Sequence, residues 1–140
     1  MTERLEVIIA NRLDEIPRLA EAIEAYCETA NVSLKAIYNL NLALDELITN
    51  LVSYGYDDGG RHDIVVRVNV TDDRLTAEMI DDGKPFDPLQ DAPNPPLDAS
   101  LDERPIGGLG LYFVRTLMDD VRYSREDSRN RLVLTKRLKD

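Results

Sequence analysis

The sequence contains a single cysteine, Cys27, and a single histidine, His62, and each scarcity closes off a class of chemistry. One cysteine excludes a disulfide or a cysteine metal site within the chain. Cys27 sits among apolar helix positions, where a small buried hydrophobe is expected rather than a reactive thiol. His62 falls in YGYDDGGRHD, residues 54–63, whose glycines and aspartates read as a turn, and a lone histidine there is expected to be solvated surface rather than a catalyst. No run approaches the roughly 18 consecutive apolar residues of a membrane span. The start, MTERLEVIIANR, lacks the basic head and apolar run of a secretion signal, so a cytoplasmic protein with no membrane partner is expected. Basic residues are also short: 17 Lys and Arg against 27 Asp and Glu leave a net charge of −10. That charge opposes counterion-release binding, so no nucleic-acid partner is expected. It would repel a nucleoside triphosphate as well, and a site for one must supply local donors and a divalent cation.

What is present suits one compact domain. The chain has 140 residues, 43% of them hydrophobic, enough for a single core. Leu5 to Ile9 is β-branched and predicts an opening strand. From Asp14 to Ala30, Ile16, Leu19, Ala20, Ile23 and Cys27 recur at helical steps, with Pro17 near the start where its missing N–H costs least. Asn31 breaks that helix, and Ser33 caps a second one reaching about Ser53. Ile64 to Val70 and Leu75 to Ile80, joined by Thr71 to Arg74, predict a hairpin. Six of the seven prolines lie between Gly83 and Pro105, where no periodicity survives, and a loop of that length predicts a lid over about 84–107. A glycine-led helix follows, then strands at Val121 to Tyr123 and Leu132 to Leu138 around a turn at Glu126 to Asn130. The order predicts an α+β fold, a two-layer sandwich.

Three segments carry candidate chemistry. In the second helix Leu40, Leu44, Leu47 and Leu51 mark the core side, and Glu46 and Asn50 stack one above the other on a face roughly opposite. A carboxylate beside an amide oxygen suits hard oxygen-ligand chemistry, with Asn as a Mg ligand and Glu as a proton acceptor or water holder, although polar pairs at this spacing also form plain solvated faces. At the end of the hairpin, alternation puts Asp81 in line with Leu75, Ala77 and Met79. It is either the start of an Asp-Gly turn or a carboxylate at the rim of an apolar pocket, able to accept a base amino proton, with Gly83 allowing close backbone approach. Third, Gly107, Gly108 and Gly110 lead into a helix, where free N–H groups suit a phosphate, as they would suit a flexible hinge. The segment lacks the context of a Walker loop or of a Rossmann fingerprint.

In this order and at these distances DELITN, DDGKPF and GGLGL resemble the N, G1 and G2 boxes of the GHKL ATPases, which share the Bergerat fold. The middle box, the Gly-Leu-Gly-Leu ending and the last strand RLVLTKRL look most like the anti-sigma-factor serine/threonine kinases. That resemblance covers roughly residues 5 to 138 and implies a mixed, mostly antiparallel sheet with helices on one face. It implies ATP and Mg2+ as cofactors, Glu46 as general base, Asn50 as the Mg ligand, Asp81 as adenine acceptor with Gly83 beside the base, and Gly107, Gly108 and Gly110 as the phosphate-holding hinge. Arg104 is either a phosphate contact or a surface arginine, and Thr135 matches a strand threonine that touches the adenine region through water. As partners it implies a STAS-type anti-anti-sigma protein, which receives the γ-phosphoryl group, and a sigma factor; homodimers are common in the family. The chain departs from the family at Ser53-Tyr54-Gly55-Tyr56, where many members carry a basic or histidine residue, and in having no basic residue between Lys84 and Arg104. A non-catalytic module that holds a partner in the presence of ATP is the alternative.

Overall fold

A computed structural model describes residues 4–87 and 114–138. Strand β1 (Leu5–Ala10) leads through a 3-10 turn at Leu13–Glu15 into helix α1 (Ile16–Thr29), followed by α2 (Leu34–Tyr54), β2 (Asp63–Val70) and β3 (Arg74–Asp81). Residues 114–117 are helical, and β4 (Asp120–Glu126) and β5 (Arg129–Arg137) close the chain. The sheet runs β1-β2-β3-β5-β4, and its four described pairings are all antiparallel.

Alternation decides which face of this sheet is dry. Ile64, Val66 and Val68 of β2, Leu75, Ala77 and Met79 of β3, and Leu132 and Leu134 of β5 are buried in one core with Leu19, Ile23 and Cys27 of α1 and Leu40, Leu44, Leu47 and Ile48 of α2. The opposite face carries the ion-pair row Glu6–Arg67–Glu78–Arg131 across four strands, so it is polar where the first face is apolar. The result is the expected two-layer α+β sandwich with helices on one face.

Local chemistry sets the element ends. Asn31 takes a left-handed φ of 62° and ends α1, and the Ser33 hydroxyl accepts the Ala36 N–H at 3.2 Å to start α2. Glu15 stands before α1 without capping it. Its carboxylate instead accepts the Ala10 N–H and pairs with Arg18, which together lower its pKa to about 2, the Arg18 bond contributing most. The β4–β5 turn is tighter than the sequence suggests. Only Asp127 and Ser128, both at positive φ, lie outside the strands, so polar SRE and RNR segments are drawn into the ladder.

Candidate nucleotide site

The second half of α2 and the turn after β3 meet through a glycine. Lys84 N–H donates to the Gly55 carbonyl at 2.8 Å, and a β-carbon on Gly83 would stand 3.0 Å from Leu51 Cδ1, 3.0 Å from the Gly55 carbonyl oxygen and 3.0 Å from Asp81 Oδ1. Gly83 is therefore crowded by the end of α2 and by its own turn, a reason for glycine here that the sequence did not show. The contact brings Leu51, the neighbour of Asn50 in α2, against the turn that carries Asp81.

Glu46 and Asn50 lie on the flank of α2, both half-buried, rather than on the fully solvated side opposite the leucines. Asn50 Nδ2 donates to the Glu46 carbonyl at 2.9 Å, which engages the amide nitrogen and leaves Oδ1 as its acceptor atom. The Glu46 carboxylate has no hydrogen-bond or ion-pair partner among the described residues. Burial, assisted by Asp45, raises its pKa. No group of three or more His, Cys, Asp or Glu among the described residues could hold a metal.

Asp81 is only 4% exposed. Its Oδ1 accepts the Gly83 N–H at 2.8 Å and Asn130 Nδ2 at 3.0 Å, while Oδ2 has no donor among the described residues. Burial raises its pKa against the opposing pull of those two donors. Asn130, buried to the same degree, also donates to the Lys84 carbonyl at 2.8 Å and accepts Tyr123 Oη at 2.6 Å and Arg125 Nη1 at 3.0 Å. Arg125 Nη1 lies 3.1 Å from the Gly83 carbonyl. These β4–β5 residues escaped the sequence reading, in which RN fell inside a turn. The only signal for Asn130 is its register opposite Asp81.

His62 is not solvated surface. Its side chain is 19% exposed, Nε2 lies 2.9 Å from Asp58 and Nδ1 3.1 Å from Asp82, and its ring stacks on Tyr56 at 4.3 Å. The two carboxylates, Asp82 first, raise its pKa. Tyr56 Oη is buried without a partner among the described residues, and burial followed by the charges of Asp81, Asp82 and Asp58 raises its pKa. Thr135 faces the polar side of the sheet opposite its register partner Thr76, whereas Asp81 faces the helices. The expected adenine contact of Thr135 is therefore corrected: strand parity turns it away from Asp81. Arg104, Gly107, Gly108, Gly110 and residues 88–107 of the expected lid lie outside the described residues. No helix among the described residues is long and apolar enough to cross a membrane.

A family model described as a histidine kinase-like ATPase domain matches residues 9–136. Over 103 residues the chain is 35% identical to the serine/threonine-protein kinase BtrW of Bordetella bronchiseptica, a match spanning 74% of this chain and 72% of that protein. It is 37% identical over 89 residues to the serine-protein kinase RsbW of Bacillus velezensis, spanning 61% of this chain and 56% of the relative. Among solved structures, the RsbU and RsbW domains of Rv1364c from Mycobacterium tuberculosis share the fold with a TM-score of 0.69, at 18% identity over 98% of this chain and 33% of that one.

Proposed function

The chain belongs to the histidine kinase-like ATPase domain family, and from that premise we propose that it is an anti-sigma-type protein kinase that transfers the γ-phosphoryl group of ATP to a serine or threonine of a STAS-type partner. The observation that carries this reading is the packing of α2 on the Asp81–Gly83 turn. Leu51, next to Asn50 along α2, lies against the turn whose Asp81 carboxylate keeps one oxygen, Oδ2, without a donor among the described residues, which supports the reading. Similarity to kinases named BtrW and RsbW supports the reaction class.

Phosphoryl transfer asks a protein mainly for positioning and charge stabilisation. Asp81 Oδ2 would accept the adenine amino proton and orient the nucleotide. Asn50 Oδ1 is the oxygen offered to Mg2+, which supplies charge neutralisation at the phosphates when bound. Glu46 would accept the proton of the attacking hydroxyl as its oxygen bonds to the γ-phosphorus and the bond to the ADP oxygen breaks. Its raised pKa makes it a stronger base than an exposed carboxylate. Gly107, Gly108 and Gly110 would give backbone donors to the phosphates, and Arg104 a charge. By the same family reading, a sigma factor is a candidate second partner, and a homodimer, common in the family, a candidate assembly.

The test is transfer from labelled ATP with Mg2+ to a purified STAS protein from the same genome, by wild type and by Glu46→Gln. Because a base acts only in the transition state, the variant is expected to keep ATP affinity within about threefold and to lose transfer by 100-fold or more, roughly the range of general-base catalysis. Equal transfer by both proteins refutes the role of Glu46. Tight ATP binding with no transfer by the wild type would identify a module that only holds its partner.

A further inference from the structure

We propose that Asn130 is a specificity-determining positioning residue, which saturates Oδ1 of Asp81 so that Oδ2 alone meets the purine. The inference rests on the adenine role proposed for Asp81. Asp81 and Asn130 are direct partners in the β3–β5 ladder, so the contact is built into the register of the sheet. Asn130 Nδ2 stands 3.0 Å from Asp81 Oδ1 and 2.8 Å from the Lys84 carbonyl, which accounts for its two protons.

The orientation of this amide follows from its surroundings. Its Oδ1 side faces two donors, Tyr123 Oη at 2.6 Å and Arg125 Nη1 at 3.0 Å. Its Nδ2 side faces a carboxylate and two carbonyls, with Gly83 O the more distant at 3.4 Å. A flipped amide would set its NH2 against the Arg125 guanidinium and its oxygen against the carboxylate and both carbonyls; only Tyr123 Oη, which can also accept, would tolerate it. Tyr123 and Arg125 thus act through Asn130 on Asp81. With Oδ1 taken by Asn130 and by the Gly83 N–H, the carboxylate cannot rotate without leaving buried donors unpaired, which resists rotation. A single fixed acceptor selects a 6-amino purine over a 6-oxo purine, whose oxygen it repels.

The consequence is sharpest for Asn130→Asp, which keeps the shape but sets a second carboxylate against Asp81. Two carboxylates at such a distance share one proton, and their joint titration moves upward, with Asp82 adding a like charge, against the opposing pull of the Arg125 guanidinium. At low pH the shared proton stands in for the Nδ2 hydrogen and ATP binds. As pH rises the pair ionises fully, the carboxylates repel and the acceptor is displaced.

The experiment measures affinities of ATP and inosine triphosphate from pH 5.5 to 8.5 for wild type, Asn130→Asp, Tyr123→Phe and Asp81→Asn, with circular dichroism melts alongside. Expected for Asn130→Asp is a fall in ATP affinity of about tenfold across that range beyond any change in wild type. Tyr123→Phe is expected to lower the preference for ATP over inosine triphosphate a few-fold, the scale of one buried hydrogen bond. That ratio is a readout a purely structural role would not move, and Tyr123→Phe supplies it if Asn130→Asp does not fold. Wild-type pH behaviour in Asn130→Asp, or an unchanged purine preference in Tyr123→Phe, would overturn the inference. If Asp81→Asn binds ATP as wild type does, it is the adenine role of Asp81 that fails.

Discussion

A methyl group at Gly83 tests the junction between α2 and the β3 turn directly. Built on the backbone, the β-carbon of Gly83→Ala stands 3.0 Å from each of three atoms, and two of these cannot yield cheaply. The Gly55 carbonyl oxygen is held by the Lys84 N–H at 2.8 Å, and Asp81 Oδ1 by Gly83 N–H and Asn130. Leu51 Cδ1, on a half-buried side chain, is the only one with freedom to turn. Relief to an ordinary contact requires displacement of several tenths of an ångström, and such overpacking costs about 1–3 kcal/mol. In a domain of this size that corresponds to a melting temperature lower by roughly 4–10 °C. The same displacement moves Asp81, so ATP affinity should fall together with stability. Thermal melts and ATP titrations of Gly83→Ala, Leu51→Ala and the double variant check this. Shrinking Leu51 removes one of the three clashes, so the double variant should be less damaged than the sum of the singles by about 0.5–1 kcal/mol, as neighbouring sites usually couple. A Gly83→Ala protein melting within a degree of wild type with unchanged ATP affinity would refute the packing account of this glycine.

The cluster at His62 predicts a pH dependence of stability. Its folded pKa is raised above the ordinary 6.5 by Asp82 and Asp58, so its contribution is complete below 6.5 and is lost as pH rises through the folded value. Melting curves from pH 5.5 to 8.5 should show wild type declining relative to His62→Gln, and parallel curves would exclude the ion-paired state. Cys27 is fully buried and its pKa is pushed up to about 11 by that burial. A thiol reagent such as DTNB should therefore label it only on unfolding; rapid stoichiometric labelling of the native protein would contradict its place in the core.

The fold was legible where one periodicity dominates. Leu40, Leu44, Leu47 and Leu51 give α2 its inward stripe, and Leu75, Ala77 and Met79 carry Asp81 inward by alternation. Strand ends were harder, because polar SRE and RNR have little strand preference of their own and are held in place by neighbours. The site divides along the same line. The stacking of Glu46 with Asn50 and the inward facing of Asp81 follow from spacing within single elements, so sequence could place them, although α2 turns its polar pair to a half-buried flank and not to the side opposite the leucines. The Asn130 amide on Asp81, the Arg125 contact with Gly83 and the Asp82 carboxylate on His62 arise between segments far apart in the chain, and periodicity holds no record of such meetings. Thr135 failed for a related reason: motif matching fixed its strand, but facing depends on strand parity, and only the pairing of Asp81 with Asn130 sets that parity.

The Asp81 carboxylate faces conflicting demands. To accept a base amino proton it must be ionised, yet burial favours its neutral form and Asp82 adds a like charge, so its pKa is raised overall. The surroundings answer with dipoles rather than a directly paired cation: Gly83 N–H and the Asn130 amide both point at Oδ1, while the Arg125 guanidinium stands behind the amide. A lysine or arginine bound directly to the carboxylate would secure ionisation more strongly, but could also occupy the oxygen that the base needs. Neutral donors on one oxygen preserve the other, and in a chain of net charge −10 they place no further carboxylate near an incoming triphosphate. The partial desolvation that raises the pKa of Asp81 also strengthens any hydrogen bond at Oδ2, because little water competes there. In the proposed role of Asp81, base selectivity and a raised pKa would thus be two effects of the same burial, and a change that exposes Asp81 would lower its pKa while weakening its discrimination.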